Sequence, residues 1–151
     1  MMQHKKVLNG VYVCSDENAS KLTTVAKALG AKLINIDGSK FHSKADILRK
    51  VGKALHFPDY YGENWDALGD CLHDFSWRKG DSHYIVLSHL DGILHGGMNE
   101  IRILGTIFAD ACKHWEHMGE VFVVILACSD IGLATPLQLP KFPAELTGKS
   151  A

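Results

Sequence analysis

An acidic run in the middle of the chain contains the residues best suited to chemistry. Between positions 59 and 74 the sequence reads DYYGENWDALGDCLHD, with no lysine or arginine, and its acidic residues are Asp59, Glu63, Asp66, Asp70 and Asp74. Carboxylates accept strong, charge-assisted hydrogen bonds from cations, and arginine can bind them through two bonds at once. The run therefore predicts a contact surface for a positively charged group.

The spacing of this run predicts an amphipathic helix over residues 65–75. At about 100° per residue, one face carries the apolar side chains of Trp65, Leu68, Cys71, Leu72 and Phe75. The opposite face carries Asp66, Asp70 and Asp74. Like charges four residues apart destabilise a helix by a few tenths of a kcal/mol, so local stability does not favour this arrangement. The acidic face is therefore either merely solvated or binds a cationic partner. The two tyrosines of the preceding Tyr60-Tyr61-Gly62 loop favour binding, because aromatic side chains beside charges are common in binding sites.

Alternating strand and helix patterns surround this helix. Strands are predicted at 7–13, 32–37, 84–87 and 121–127, and helices at 20–29, 43–55, 65–75 and 99–117. Such alternation is typical of an α/β fold with a small parallel sheet flanked by helices. Residues 1–128 are expected to form one domain. Residues 129–151 hold three of the four prolines and are expected to be a tail that is extended over the domain or partly disordered.

Composition excludes several classes of protein. The chain has 151 residues, 16 basic and 17 acidic, for a net charge of −1, so no overall positive field exists to bind nucleic acid or an anionic membrane. The longest apolar run, at 121–128, is far shorter than the roughly 20 residues of a membrane span. Four cysteines without a CxxC pair, and the lack of an export signal, predict reduced thiols in a cytoplasmic protein. A secreted scaffold with two disulfides is the alternative.

Residues 57–72, FPDYYGENWDALGDCL, resemble the signature of the barstar family, small inhibitors of barnase-type ribonucleases. Weaker similarity extends over residues 32–128, and the first 31 residues fit the extra strand–helix unit of longer members. The resemblance implies a three-stranded parallel core sheet, to which the N-terminal strand could add a fourth. It also implies a non-enzymatic inhibitor that binds one basic ribonuclease, is monomeric when free, and needs no cofactor or metal.

The resemblance also implies roles for individual residues. Asp70 would take the place of the substrate phosphate in the ribonuclease, and Asp66 would be a second acidic contact. Tyr60 would pack over the enzyme's active site, Asn64 would supply a hydrogen bond, and Asp110 would pair with a basic residue.

Three positions depart from the family pattern. Gly69 replaces a tryptophan of the best-known member, His73 replaces a small hydroxyl residue, and Asp74 replaces a glycine. We expect Gly69 to let the partner approach the helix backbone closely, with His73 along the same edge. A Gly69→Trp variant that inhibits the native partner as well as wild type would contradict this expectation.

Other functions stay open at this point. The same fold could bind a different basic protein. Cys112, His114 and His117 lie close enough in sequence to suggest a structural metal, although no fourth ligand has suitable spacing. Asp70 and His73 could act as base and acid of a metal-dependent or other hydrolase, but a convex helix face does not form a pocket.

Overall fold

Four parallel strands form the central sheet. The structure, a computed structural model, describes residues 8–28, 30–74 and 82–143. The strands are β1 Gly10–Ser15, β2 Lys32–Asp37, β3 His83–Ser88 and β4 Phe122–Cys128. Their order is β1-β4-β3-β2, and every neighbouring pair is parallel. The predicted α/β class and parallel sheet are confirmed, and the N-terminal strand joins the sheet beside β4.

Helices cover both faces of the sheet. They are α1 Asp16–Ala28, α2 Lys44–Ala54, α3 Trp65–His73, α4 Asp91–Gly96 and α5 Met98–His117. Apolar residues of α1 pack with one face of β1, β3 and β4. Those of the other four helices form the larger core against the opposite face. All seven residues of β4 are buried, which explains its almost wholly apolar, β-branched sequence.

Several element boundaries differ from the predictions. The first helix begins at Asp16 rather than residue 20, because Ser15 Oγ accepts a hydrogen bond from Asn18 N at 3.1 Å and acidic residues suit a first turn. The first strand begins at Gly10 and lies at the edge of the sheet. Helix α3 ends at His73, where the Asp74 amide donates to Asp70 O at 3.0 Å. The predicted ends at Leu29 and Phe75 lie outside the described residues.

The proline-rich segment is more regular than an extended tail over its described part. Residues Ile131–Leu137 form a 3-10 helix. The chain then runs beside β1, since Val13 N donates to Pro140 O at 2.9 Å and Phe142 N donates to Val13 O at 2.8 Å. Phe142 is buried against Tyr12 in an edge-to-face contact at 5.5 Å. The segment therefore covers the outer edge of the sheet.

All four cysteines are free and buried. Burial raises the pKa of Cys14 and of Cys112 to about 12 and that of Cys128 to about 11. Thiols with such pKa values stay protonated at neutral pH and are poor nucleophiles. The described helices include none with both the length and the apolar character needed to cross a bilayer.

Two glycines within helices near the acidic run have opposite surroundings. The ring of Tyr61 lies directly over Gly52 of α2, held by a hydrogen bond from its hydroxyl to Leu48 O at 3.0 Å. A Cβ atom at Gly52 would overlap that ring. A Cβ atom at Gly69 of α3 would instead make an ordinary contact, 3.9 Å from Ile107 Cγ2 of α5. Of these two glycines, therefore, only Gly52 is required by packing.

Alanine substitutions at these two glycines should change stability in opposite directions. Gly52→Ala should destabilise the fold by about 1–3 kcal/mol, because the held ring of Tyr61 must move. Gly69→Ala should stabilise it by up to about 1 kcal/mol through helix propensity. Urea unfolding of both variants measures the difference, and a more stable Gly52→Ala protein would contradict the packing argument.

Candidate protein-binding surface

The loop before α3 turns its two adjacent tyrosines in opposite directions. The ring of Tyr61 packs inward on Gly52 and meets Phe57 edge to face at 5.0 Å. Tyr60 points outward and is 76% exposed. Burial is the largest cause of the raised pKa of Tyr61, so its hydroxyl stays protonated and serves the fold. Tyr60 is left as the aromatic side chain available to a partner.

Backbone geometry at the end of this loop sets the start of α3. Glu63 adopts a left-handed conformation with φ 51°. The next residue, Asn64, is the N-cap, and its Oδ1 accepts a hydrogen bond from Ala67 N at 2.8 Å. This bond satisfies one of the amides that a helix N-terminus leaves unpaired. Asn64, a predicted contact with the partner, therefore also has a structural role as the helix cap. Its side chain is exposed, and its amide Nδ2 lies 3.5 Å from Gly62 O.

The two faces of α3 agree with the predicted amphipathic pattern. Leu68 and Leu72 are fully buried, and Cys71 is buried beside them. The opposite side exposes Asp66, Asp70 and Asp74. The indole of Trp65 is half-buried at the start of the helix, with the Lys44 Nζ atom 5.6 Å from its ring centroid. The buried side fixes the helix, so the three carboxylates project into solvent together.

Asp110 lies on α5 and reaches the end of α3 through His73. The Nε2 atom of His73 is 3.1 Å from Oδ2 of Asp110, whose side chain is 70% exposed. Helix α5 packs beside α3, which brings the fourth predicted carboxylate to the C-terminal end of the helix that carries the other three. Gly69 is half-buried on the side of α3 that faces Ile107, and the close approach of a partner at this position stays a prediction.

Sequence reasoning missed two residues that organise this surface. The imidazole of His114 stacks on that of His73, with ring centroids 4.5 Å apart. The indole N–H of Trp115 donates to Leu72 O at 2.9 Å and ties α5 to α3. The spacing of Asp110 and His114, four residues apart on one helix, is a signal that they share a face. Nothing in the sequence showed that this face meets α3.

Neither of two cavities lined by described residues includes α3. They measure about 420 and 380 Å³, and one lies beside the α4–α5 junction and the other beside β1. Over the described ranges, no three His, Cys, Asp or Glu side chains are grouped as a metal site requires. Cys112 is buried in the core, whereas His117 is exposed. The geometry of the exposed acids therefore suits binding of a cationic surface.

Comparison with known proteins agrees with this geometry. The family described as "Barstar (barnase inhibitor)" matches residues 31–127. The chain belongs to the barstar family. A curated relative from Bacillus subtilis (strain 168), "Putative ribonuclease inhibitor YrdF", is 49% identical over 39 residues, which are 26% of this chain and 43% of the relative. The match thus spans less than half of that relative's length.

The barstar family match covers the part of the chain that holds the exposed aspartates of α3 and Asp110. Its limits, residues 31 and 127, include α2, α3 and α5 and all but the last residue of β4. Strand β1, helix α1 and the segment after β4 lie outside it. The predicted resemblance to the family is confirmed, with limits one residue from those expected.

Substitutions at Asn64 separate its capping role from its predicted binding role. Asn64→Ala should lower stability by about 1 kcal/mol, because the N-cap bond to Ala67 is lost. Asn64→Asp keeps an acceptor oxygen and should retain stability, but it has no amide to donate. If Asn64 donates to the partner, Asn64→Asp should weaken binding at unchanged stability. Urea unfolding and a binding titration give the two values, and equal unfolding free energies for the alanine variant and wild type would contradict the capping role.

Proposed function

We propose that this chain inhibits a barnase-type ribonuclease by covering its active site with an exposed acidic surface. This acidic surface consists of Tyr60, Asn64, Asp66, Gly69, Asp70, His73, Asp74 and Asp110. The observation that carries the proposal is the outward row of three aspartates on a helix whose other side is buried. The family match and the name of the Bacillus subtilis relative support it.

Charge complementarity gives the physical basis of this function. A ribonuclease active site binds phosphate and is therefore cationic. Fixed carboxylates can replace the phosphate in charge-assisted and bidentate bonds to arginine. The whole chain has a net charge of only −1, so the attraction must come from the local surface. The barnase–barstar pair is itself the standard example of such electrostatic steering between two proteins.

Inhibition of this kind requires no chemistry from the chain itself. The partner's active site is blocked by one copy of the inhibitor, and Tyr60 adds an exposed aromatic ring of the type that dominates many binding interfaces. A ribonuclease assay separates this function from the alternatives. An inhibitor suppresses the activity of barnase and has none of its own. A protein that binds a different basic partner leaves barnase active.

The phosphate-mimic role of Asp70 predicts a large loss on its removal. Asp70→Ala should weaken inhibition of barnase by about 30-fold to several thousand-fold, because losing one member of a buried charge pair costs about 2–5 kcal/mol. Stability should hardly change, since Asp70 is exposed in the free protein. Glu17→Ala is a matched control, because it removes one exposed acid from α1 on the other face of the sheet.

Inhibition constants and thermal unfolding of the two variants decide the role of Asp70. The proposal requires Glu17→Ala to inhibit like wild type, with only a small loss of stability from its first-turn charge and its ion pair to Lys21. An Asp70→Ala inhibition constant within twofold of wild type would show that Asp70 is not the phosphate mimic.

Electrostatic capture also predicts a specific response to salt. Association with barnase should slow steeply as salt rises, because exposed charges are screened over about 8–10 Å near physiological ionic strength. Dissociation should change little. A variant with asparagine at positions 66, 70 and 74 should show a flatter salt dependence of association. Stopped-flow measurements give both rates, and an association rate of the wild type that ignores salt would exclude electrostatic capture.

A further inference from the structure

A pair of stacked histidines lies where α3 meets α5, beside the carboxylate of Asp110. The rings of His73 and His114 are nearly parallel, with centroids 4.5 Å apart and planes 6° apart. The Nε2 atom of His73 is 3.1 Å from Asp110 Oδ2. Among the described residues, this buried nitrogen has no partner at good hydrogen-bond geometry. The approach of Nε2 to the Asp110 carboxylate is therefore short in distance but poorly aligned for a hydrogen bond.

One ring contact and one buried hydrogen bond connect the stack to the core. The ring of His114 meets the edge of Trp115 at 4.9 Å, with planes 84° apart. Trp115 is buried, and its indole N–H donates to Leu72 O of α3 at 2.9 Å. The stack thus lies at the joint between α3 and α5.

Asp110 has an exposed side chain that a partner would have to immobilise. It is 70% exposed on α5, and a mobile side chain loses rotamer entropy when a partner immobilises it. The other acids near His73 are Asp70, one turn earlier on α3, and Asp74, the next residue. With Nε2 only 3.1 Å from Asp110 Oδ2, the imidazole of His73 is arranged to hold that carboxylate. Stacking on the ring of His114 restricts the rotamers of His73, so less conformational entropy is lost when His73 holds the carboxylate.

We propose, on the basis of the proposed function, that His73 is a positioning residue for the acidic surface. Stacked on His114, it fixes Asp110 beside Asp70 and Asp74. The cationic partner then meets carboxylates from two helices as a single, preorganised surface. His73 acts through Asp110, so its contribution requires the carboxylate at position 110.

Inhibition of barnase by a set of variants tests this role. His73→Ala should weaken inhibition about tenfold, within the range of coupling energies of neighbouring residues. His73→Gln should restore inhibition to within about threefold of wild type, because the side-chain amide of glutamine can donate to the Asp110 carboxylate, the group that His73 Nε2 approaches at 3.1 Å. In an Asp110→Asn background, His73→Ala should cost less than about twofold. His114→Ala should weaken inhibition less than His73→Ala, since it removes only the support.

A control and a folding measurement keep the interpretation clear. His117→Ala removes an exposed imidazole from the same helix and should leave inhibition unchanged. Thermal unfolding of each variant shows whether it folds. If His73→Ala does not fold, His73→Gln is compared with wild type instead. A loss from His73→Ala that is equally large in the Asp110→Asn background would overturn the positioning role, as would a glutamine variant no better than alanine.

Failure of the proposed function is recognised separately. If the wild-type protein leaves barnase fully active, inhibition of that enzyme is contradicted, whatever the variants do. The same variants are then compared for binding to an immobilised hexa-arginine peptide. Loss with alanine, recovery with glutamine and no further loss in the Asp110→Asn background would support the positioning role. Equal binding of wild type and His73→Ala would overturn it.

Discussion

Packing of α3 against the core makes the outward row of carboxylates possible. Full burial of a leucine is worth about 1.5–3 kcal/mol, and both Leu68 and Leu72 are fully buried. Repulsion between like charges one turn apart costs only a few tenths of a kcal/mol. The apolar anchoring therefore exceeds the repulsion by about an order of magnitude, and α3 can present three aspartates together. The bond from Trp115 to Leu72 also fixes this helix against α5.

The entry to α3 shows how local backbone conformation decides which groups reach a partner. Glu63 is in the left-handed region, which costs a non-glycine residue about 1–2 kcal/mol. The Asn64 cap on one side and the packed ring of Tyr61 on the other hold the chain in this conformation. As a result Tyr60 is directed into solvent while the ring of Tyr61 packs inward and is partly buried. The strained residue, Glu63, thus lies between the exposed ring of Tyr60 and the start of α3, which the binding surface requires side by side.

Patterns within single elements predicted more than contacts between elements did. Strand β2 lies at the predicted residues 32–37, and Ser43, the first residue of the helix predicted at 43–55, is the N-cap of α2. The acidic and apolar faces of α3 also follow from spacing alone. Helix α4 was missed because it is only six residues long and has no side-chain N-cap. The stack of His73 on His114 depends on how α3 meets α5, which helical periodicity does not determine. The division into domain and tail stays a prediction.

The N-terminal addition to the family core supports the helix that carries Asp110. Strand β1 pairs with β4 and converts it from an edge strand to an inner strand. The side chain of Asn9, just before β1, donates to Cys112 O at 3.2 Å and to Glu120 O at 2.8 Å, and accepts from Phe122 N at 3.0 Å. Three bonds from one side chain thus clamp the end of α5 to the start of β4. Because Cys112 lies two residues beyond Asp110, this clamp and the α3–α5 joint fix the same stretch of α5 from opposite sides.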